Sequence, residues 1–184
     1  MLIRQPVFII IFGTNGTGKT TWLLNRLQKD PRRHLVIDPD GMEKAWNKYT
    51  LIKHSQVHQV RDGAKVKITA PQEKEFSSLL KMRPGILVLD DARYYVKSQI
   101  EQAIRQILVR RRQIAIDIFA VAHSLNEVPP TFWTYATHCL VFKTADNPER
   151  SKKNIPNYSE LLEVIHRVNS HADPHYHELF NLRK

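Results

Sequence analysis

Eight residues, Gly13-Thr14-Asn15-Gly16-Thr17-Gly18-Lys19-Thr20, constrain this chain more than any other stretch. They match the pattern of two glycines five positions apart, followed by lysine and a hydroxyl residue, that wraps backbone amides around phosphate oxygens. Such a loop works only between a buried strand and a helix, whose N-terminal dipole adds to the amides. Both flanks are present. Residues 7–12 are continuously apolar and β-branched, as suits a strand covered on both faces. Residues 19–29 read as a helix, which Pro31 ends.

The same alternation continues. Short apolar runs at 34–38, 86–89, 114–121 and 139–142 read as further strands, and 66–69 alternates like an edge strand. Helices are expected over 42–49, 71–81 from Pro71, 98–111, 130–136 and 159–168. Ser98 and Glu101 have the spacing of a capping box. Strands alternating with helices make this an α/β fold. The expected organisation is a single domain over 1–184, with a core over about 5–145 and a helical extension over about 146–184.

Hydrophobic residues are 42% of the chain and charged ones 25%, which excludes a disordered or fibrous polymer. Cys139 is the only cysteine, which excludes an internally disulfide-stapled scaffold. The run 7–12 is too short to span a bilayer and has no signal-peptide form, so a cytoplasmic location is expected.

The loop predicts a nucleoside triphosphate. Lys19 would reach the β- and γ-phosphates, and the Thr20 hydroxyl would hold Mg2+. Asp90 ends the run 86–89, where a carboxylate organising magnesium through water belongs. Asp91 would orient or activate the attacking water, or else serve as a turn acid or helix cap. His123 ends another strand and would contact the γ-phosphate or that water, or else only close the strand. Arg110-Arg111-Arg112 falls at the opposite end of the sheet. From there an arginine would serve a neighbour's nucleotide, bind DNA, or simply suit a helix C-terminus.

A net charge of +10, spread over both halves, favours a polyanion bound without sequence readout. Lys53, Arg61, Lys65 and Lys67 are candidate contacts by charge density. His171, His175 and His177 with Asp173 have metal-ligand residue types. Pro174 interrupts them and no cysteine accompanies them, so they read as a polar tail.

These parts in this order resemble the FtsK–HerA superfamily of ring-forming DNA-pumping ATPases, and viral genome-packaging ATPases within it. The resemblance rests on the loop 13–20, the strand and acids 86–91, the arginine-rich connection 110–113, the strand 116–121 ending at His123, and the stretch from Asp117 to Phe142 that runs through a short helix into the last core strand. It implies a RecA-like P-loop NTPase with a central, mostly parallel sheet of order 5-1-4-3-2 flanked by helices. It further implies ATP and Mg2+ as ligands, a hexameric ring, and Arg111 or Arg112 acting across a subunit interface. A viral motor would meet DNA and a capsid vertex, in the host cytoplasm or on the virion. This chain has Asp91 where the family usually has Glu, and His123 where many relatives have Gln. The expected function is an ATP-driven DNA-translocating motor for genome packaging. The alternatives are a small P-loop kinase, with Arg150, Lys152 and Lys153 as lid cations, or another class of P-loop ATPase.

Overall fold

Apolar runs become the strands that every other element covers. The computed structural model describes residues 5–70, 73–96 and 98–183, without the side chains at 73, 74, 96, 98–101 and 103. The strands are β1 (Phe8–Phe12), β2 (His34–Ile37), β3 (Thr50–Leu51), β4 (Lys65–Ile68), β5 (Gly85–Leu89), β6 (Ile116–Ala122), β7 (His138–Phe142) and β8 (His177–Asn181). The helices are α1 (Lys19–Gln28), α2 (Glu73–Leu79), α3 (Ser98–Arg110), α4 (Pro130–Tyr135) and α5 (Tyr158–Ser170). The side chains of the capping pair expected at Ser98 and Glu101, and the helix start expected at Pro71, lie outside what the structure describes. Among the described residues, no helix is long and apolar enough to cross a membrane.

The sheet order is β3-β4-β2-β5-β6-β1-β7-β8. It is larger than the five strands of order 5-1-4-3-2 expected from the resemblance. β3 and β4 extend it beyond β2, and β8 extends it beyond β7. β7 and β8 run antiparallel, while every other pairing is parallel. β1 is therefore central, paired with β6 on one side and β7 on the other.

Side chains alternate across the pleat, so a strand buried on both faces needs cover on both. Ile9 and Ile11 of β1 pack with Leu23 and Leu27 of α1 and with Trp46 and Tyr49. Phe8, Ile10 and Phe12 face the other way, toward α2, α3, α4 and α5. Each buried Leu, Ile or Phe contributes roughly 1.5–3 kcal/mol of transfer free energy. Asp117 sits in buried β6 because it is fully served: Oδ1 accepts from the Val7 amide at 2.8 Å and Oδ2 pairs with Arg32 at 2.6 Å.

Three expectations change. Residues 42–49 form only a 3-10 turn at Lys44–Trp46, because Trp46 and Tyr49 are pulled into the core beneath α1. The edge strand expected at 66–69 forms as β4 but is not at the edge, because β3, with two residues and too short to show a period, pairs beyond it. The segment 146–184 is not helical throughout. After α5 it returns as β8, which pairs Phe180 with Cys139 and buries Phe180 beside β7.

Candidate functional site

The loop after β1 is built so that only glycine fits where it bends. Gly13, Gly16 and Gly18 have φ of 150°, 80° and 97°. At Gly13 a Cβ would stand 2.6 Å from the Phe142 Cβ and 2.9 Å from the Lys143 carbonyl, so β7 leaves no room for a side chain. The Thr14 amide donates to that same Lys143 carbonyl at 2.8 Å, tying the loop to the end of β7. Thr17 Oγ1 donates to the Thr14 carbonyl at 2.8 Å. Gly18, at the N-cap of α1, supplies no side-chain acceptor, and no acid stands in the first turn. The helix thus offers amide donors and an uncompensated dipole to an anion.

Lys19 is 4% exposed and folds back over the loop. Its Nζ donates to the Gly13 carbonyl at 2.7 Å and the Thr14 carbonyl at 2.9 Å. Burial lowers its pKa, and the nearby Asp90 charge works in the opposite direction. The ammonium already sits at the mouth of the loop, where phosphate oxygens would compete with these carbonyls.

Thr20 lines a cleft of about 260 Å³ with Asp38, Asp40, Glu43, Asp90, Asp91, Arg93 and His123. Asp90 follows β5 and is buried. Its Oδ2 accepts from the Trp46 indole at 2.6 Å and its Oδ1 from the Asp91 amide at 3.1 Å. Burial pushes the Asp90 carboxyl up to about 6, and the Trp46 hydrogen bond offsets only part of that. Asp91 has φ 51° and accepts from Arg93 Nε at 2.9 Å, Arg93 Nη2 at 3.0 Å and the Arg93 amide at 3.2 Å. Burial alone would raise its pKa; the Arg93 bonds and charge outweigh this and hold it below the usual carboxylate range. Asp91 is thus a turn acid and also an ionised group facing the cleft. His123, just past β6, has its Nδ1 buried without a hydrogen-bond partner among the described residues. Burial, with help from the Lys19 charge, lowers its pKa, which favours a neutral imidazole.

Asp38 and Arg93 were not among the expected site residues. Asp38 ends the apolar strand β2 just as Asp90 ends β5, and β2 and β5 are neighbours. That signal was available. Lys67 donates to Asp38 Oδ2 at 3.0 Å and is itself buried, so it is an internal counter-ion and not the DNA contact expected from its charge. Nothing in the local pattern marks Arg93.

The donors facing the cleft suit magnesium. They are hard oxygens on Thr20, Asp90 and Asp38. Magnesium typically takes one or two carboxylates together with substrate phosphates and water. Among the described residues, no three His, Cys, Asp or Glu side chains gather to hold a metal on their own.

The arginines stand apart. The Ile116 amide, opening β6, donates to the Arg111 carbonyl, so the cluster lies at the sheet end opposite Asp90 and His123. Arg111 is 5% exposed, and its Nη1 donates to the Leu108 carbonyl at 3.0 Å, closing the end of α3. Arg112 is exposed. With Arg183, Thr134 and Tyr135 these two line a separate groove of about 420 Å³.

The Asp90 environment makes a stability prediction. Asn removes the buried charge, and its single carbonyl keeps the Trp46 bond at the cost of the weaker one from the Asp91 amide. A carboxyl moved from 3.8 to about 6 penalises the folded apo chain above pH 6. Asp90→Asn should therefore stabilise the apo chain by about 1–3 kcal/mol at pH 8. The gain should fade as pH drops from 6 toward 3.8, because Asp90 of the parent then protonates. Thermal melts at pH 8 and pH 4 check this; a gain equal at both contradicts it.

No protein-family model matches the chain, and no curated protein sequence matches it. Solved structures do. The genome packaging NTPase B204 from Sulfolobus turreted icosahedral virus 2, in complex with sulfate, superposes with a TM-score of 0.71 at 14% identity, over 98% of this chain and 94% of that one. The same NTPase in complex with ATP-gammaS gives 0.71 at 13% identity, over 98% and 94%. The N-terminal domain of zonular occludens toxin from Neisseria meningitidis gives 0.54 at 16% identity, over 98% and 96%. At such identities the likeness is one of fold: this chain has an α/β P-loop NTPase fold built on a mixed sheet.

Proposed function

We propose that this chain hydrolyses ATP with Mg2+ and uses the energy to move DNA, as a viral genome-packaging motor. One observation carries the chemistry: the phosphate loop opens beside a cleft that collects Thr20, Asp90, Asp91 and His123. The shared fold with a genome packaging NTPase supports the biological setting.

The residues act in sequence. Amides of residues 13–20 and the N-terminus of α1 seat the phosphates. Lys19 moves its donors from the Gly13 and Thr14 carbonyls to phosphate oxygens. Thr20 and Asp90 would hold magnesium, which supplies charge neutralisation of the phosphate oxygens when bound. Asp91, kept ionised and fixed by Arg93, accepts a hydrogen bond from the attacking water and orients it. His123 offers its Nδ1, which has no partner among the described residues, to the water or the γ-phosphate. Acceptors and an imidazole around a water nucleophile favour hydrolysis over transfer to a kinase substrate.

The whole chain, 1–184, acts as one ATPase domain in this reading. The working form is a hexameric ring around DNA, gripped through its phosphates by the basic surface. The motor docks at a capsid vertex and works in the host cytoplasm or on the virion. Arg112 is the better trans-acting arginine, because Arg111 is committed to its own helix end. Its planar, permanent charge suits oxygens that gain charge during transfer. The test mixes Arg112→Ala with Lys19→Ala in the presence of DNA. Each variant alone is expected to be nearly inactive, and mixed rings regain hydrolysis at intact composite sites. Full activity of Arg112→Ala alone contradicts the trans role.

A further inference from the structure

The chain beyond α5 returns over the phosphate loop. Sheet order places β6 and β5, with His123 and the acids at their ends, on one flank of β1, and β7 and β8 on the other. The turn between α5 and β8 stands on this second flank. Lys143, following β7, joins it to the loop: its carbonyl accepts from the Thr14 amide, and its ammonium donates to the His171 carbonyl. His175 lies over Gly18, where a Cβ would stand 3.3 Å from the imidazole Nδ1. His177 stacks on Phe142 with centroids 4.8 Å apart and meets Trp22 of α1 edge-on at 6.1 Å.

The turn is braced from within. The His175 amide donates to Asp173 Oδ1 at 2.8 Å, and the Asp173 amide donates to His171 Nδ1 at 3.1 Å. The His171 and Tyr176 rings stack 3.8 Å apart at 12°. His171 and His175 are nonetheless exposed. Tyr176 covers one face of His171, which leaves the other face to solvent.

A triphosphate seated on the loop has two ends. Its terminal phosphate belongs with Thr20, Asp91 and His123. The nucleoside end then leaves on the flank the acids do not occupy, and that flank carries flat rings held on a rigid turn. Every base has a π face, and an aromatic platform recognises it with little preference among purines. We propose that His171 and His175 form the nucleobase platform of the ATP site. This rests on the reading that the loop binds the phosphates of ATP. It gives the tail histidines, which resemble metal ligands in sequence, a different task.

Affinities of the full chain for ATP and for inorganic tripolyphosphate, both with magnesium, test this by calorimetry. The parent chain should prefer ATP by on the order of tenfold. The double variant His171→Ala, His175→Ala should lose most of that preference and bind tripolyphosphate as before, which also shows the loop to be intact. A double variant that keeps the full preference overturns the platform. Equal binding of both ligands by the parent overturns it too, while the phosphate site stands. Binding of neither by the parent overturns the phosphate site as well. If the alanine variant loses both ligands, Phe at 171 and 175 decides. An ATP preference retained by the aromatic replacements supports the platform, and its loss with tripolyphosphate binding intact overturns it.

Discussion

Lys19→Ala should abolish measurable ATP hydrolysis and weaken nucleotide binding by about 100-fold or more, while the domain stays folded. The size of the effect follows from position. The Lys19 ammonium is buried at the mouth of the loop, held at 2.7 and 2.9 Å by two of the loop's own carbonyls. An alanine leaves the loop with no point charge where phosphate charge is greatest. Folding should survive, because α1 is anchored by Leu23 and Leu27, both fully buried against the sheet. Lys19→Arg should not rescue, since a planar guanidinium cannot replace a compact ammonium between two carbonyls. Calorimetry with ATP, phosphate release and a thermal melt check the three parts. Unchanged hydrolysis in Lys19→Ala removes the proposed site.

Asp91→Asn should separate binding from turnover. Lys19 and Asp90 are untouched, so ATP affinity should stay within a few-fold of the parent. Hydrolysis should fall by about 10²–10⁴, the usual worth of a positioned acid–base or water-orienting group. The Arg93 pairing sharpens this expectation. It keeps Asp91 ionised and aims it by bidentate bonds at 2.9 and 3.0 Å. The amide of Asn cannot accept both bonds. Normal turnover by Asp91→Asn assigns the water to another residue, with Asp38 the next carboxylate in the cleft.

What was legible in the sequence was local. β1, the glycine loop and α1 are consecutive, and each is marked by its own composition. Asp90 was legible because an acid directly after an apolar run ends a strand. Asp38 bears the same mark, yet its place beside Asp90 depends on β2 and β5 being neighbours. Trp46 could not be read this way: its bond to Asp90 joins residues 44 apart in sequence, and the helix expected around it gives way to burial beneath α1. Lys67 and Arg111 look like solvated cations in sequence. The fold buries both, one against Asp38 and the other on its own helix end. β8 is written in a polar segment, His177–Asn181, whose main apolar anchor is Phe180, and it becomes a strand only because β7 offers an edge. The five-strand order implied by resemblance omits the three outer strands; of these only β4 shows a period, in the alternating run 66–69, while β3 has just two residues and β8 is polar.

Phosphate release from the parent chain at fixed ATP and magnesium, with and without long duplex DNA, distinguishes a DNA-stimulated ATPase from every other use of this phosphate loop. Release should rise several-fold with DNA of unrelated sequences alike, and the rise should be lost as salt is raised, as contacts to phosphates alone would require. ATP hydrolysis that ignores DNA at every salt concentration, or phosphate transferred to a small acceptor with none released, would contradict it.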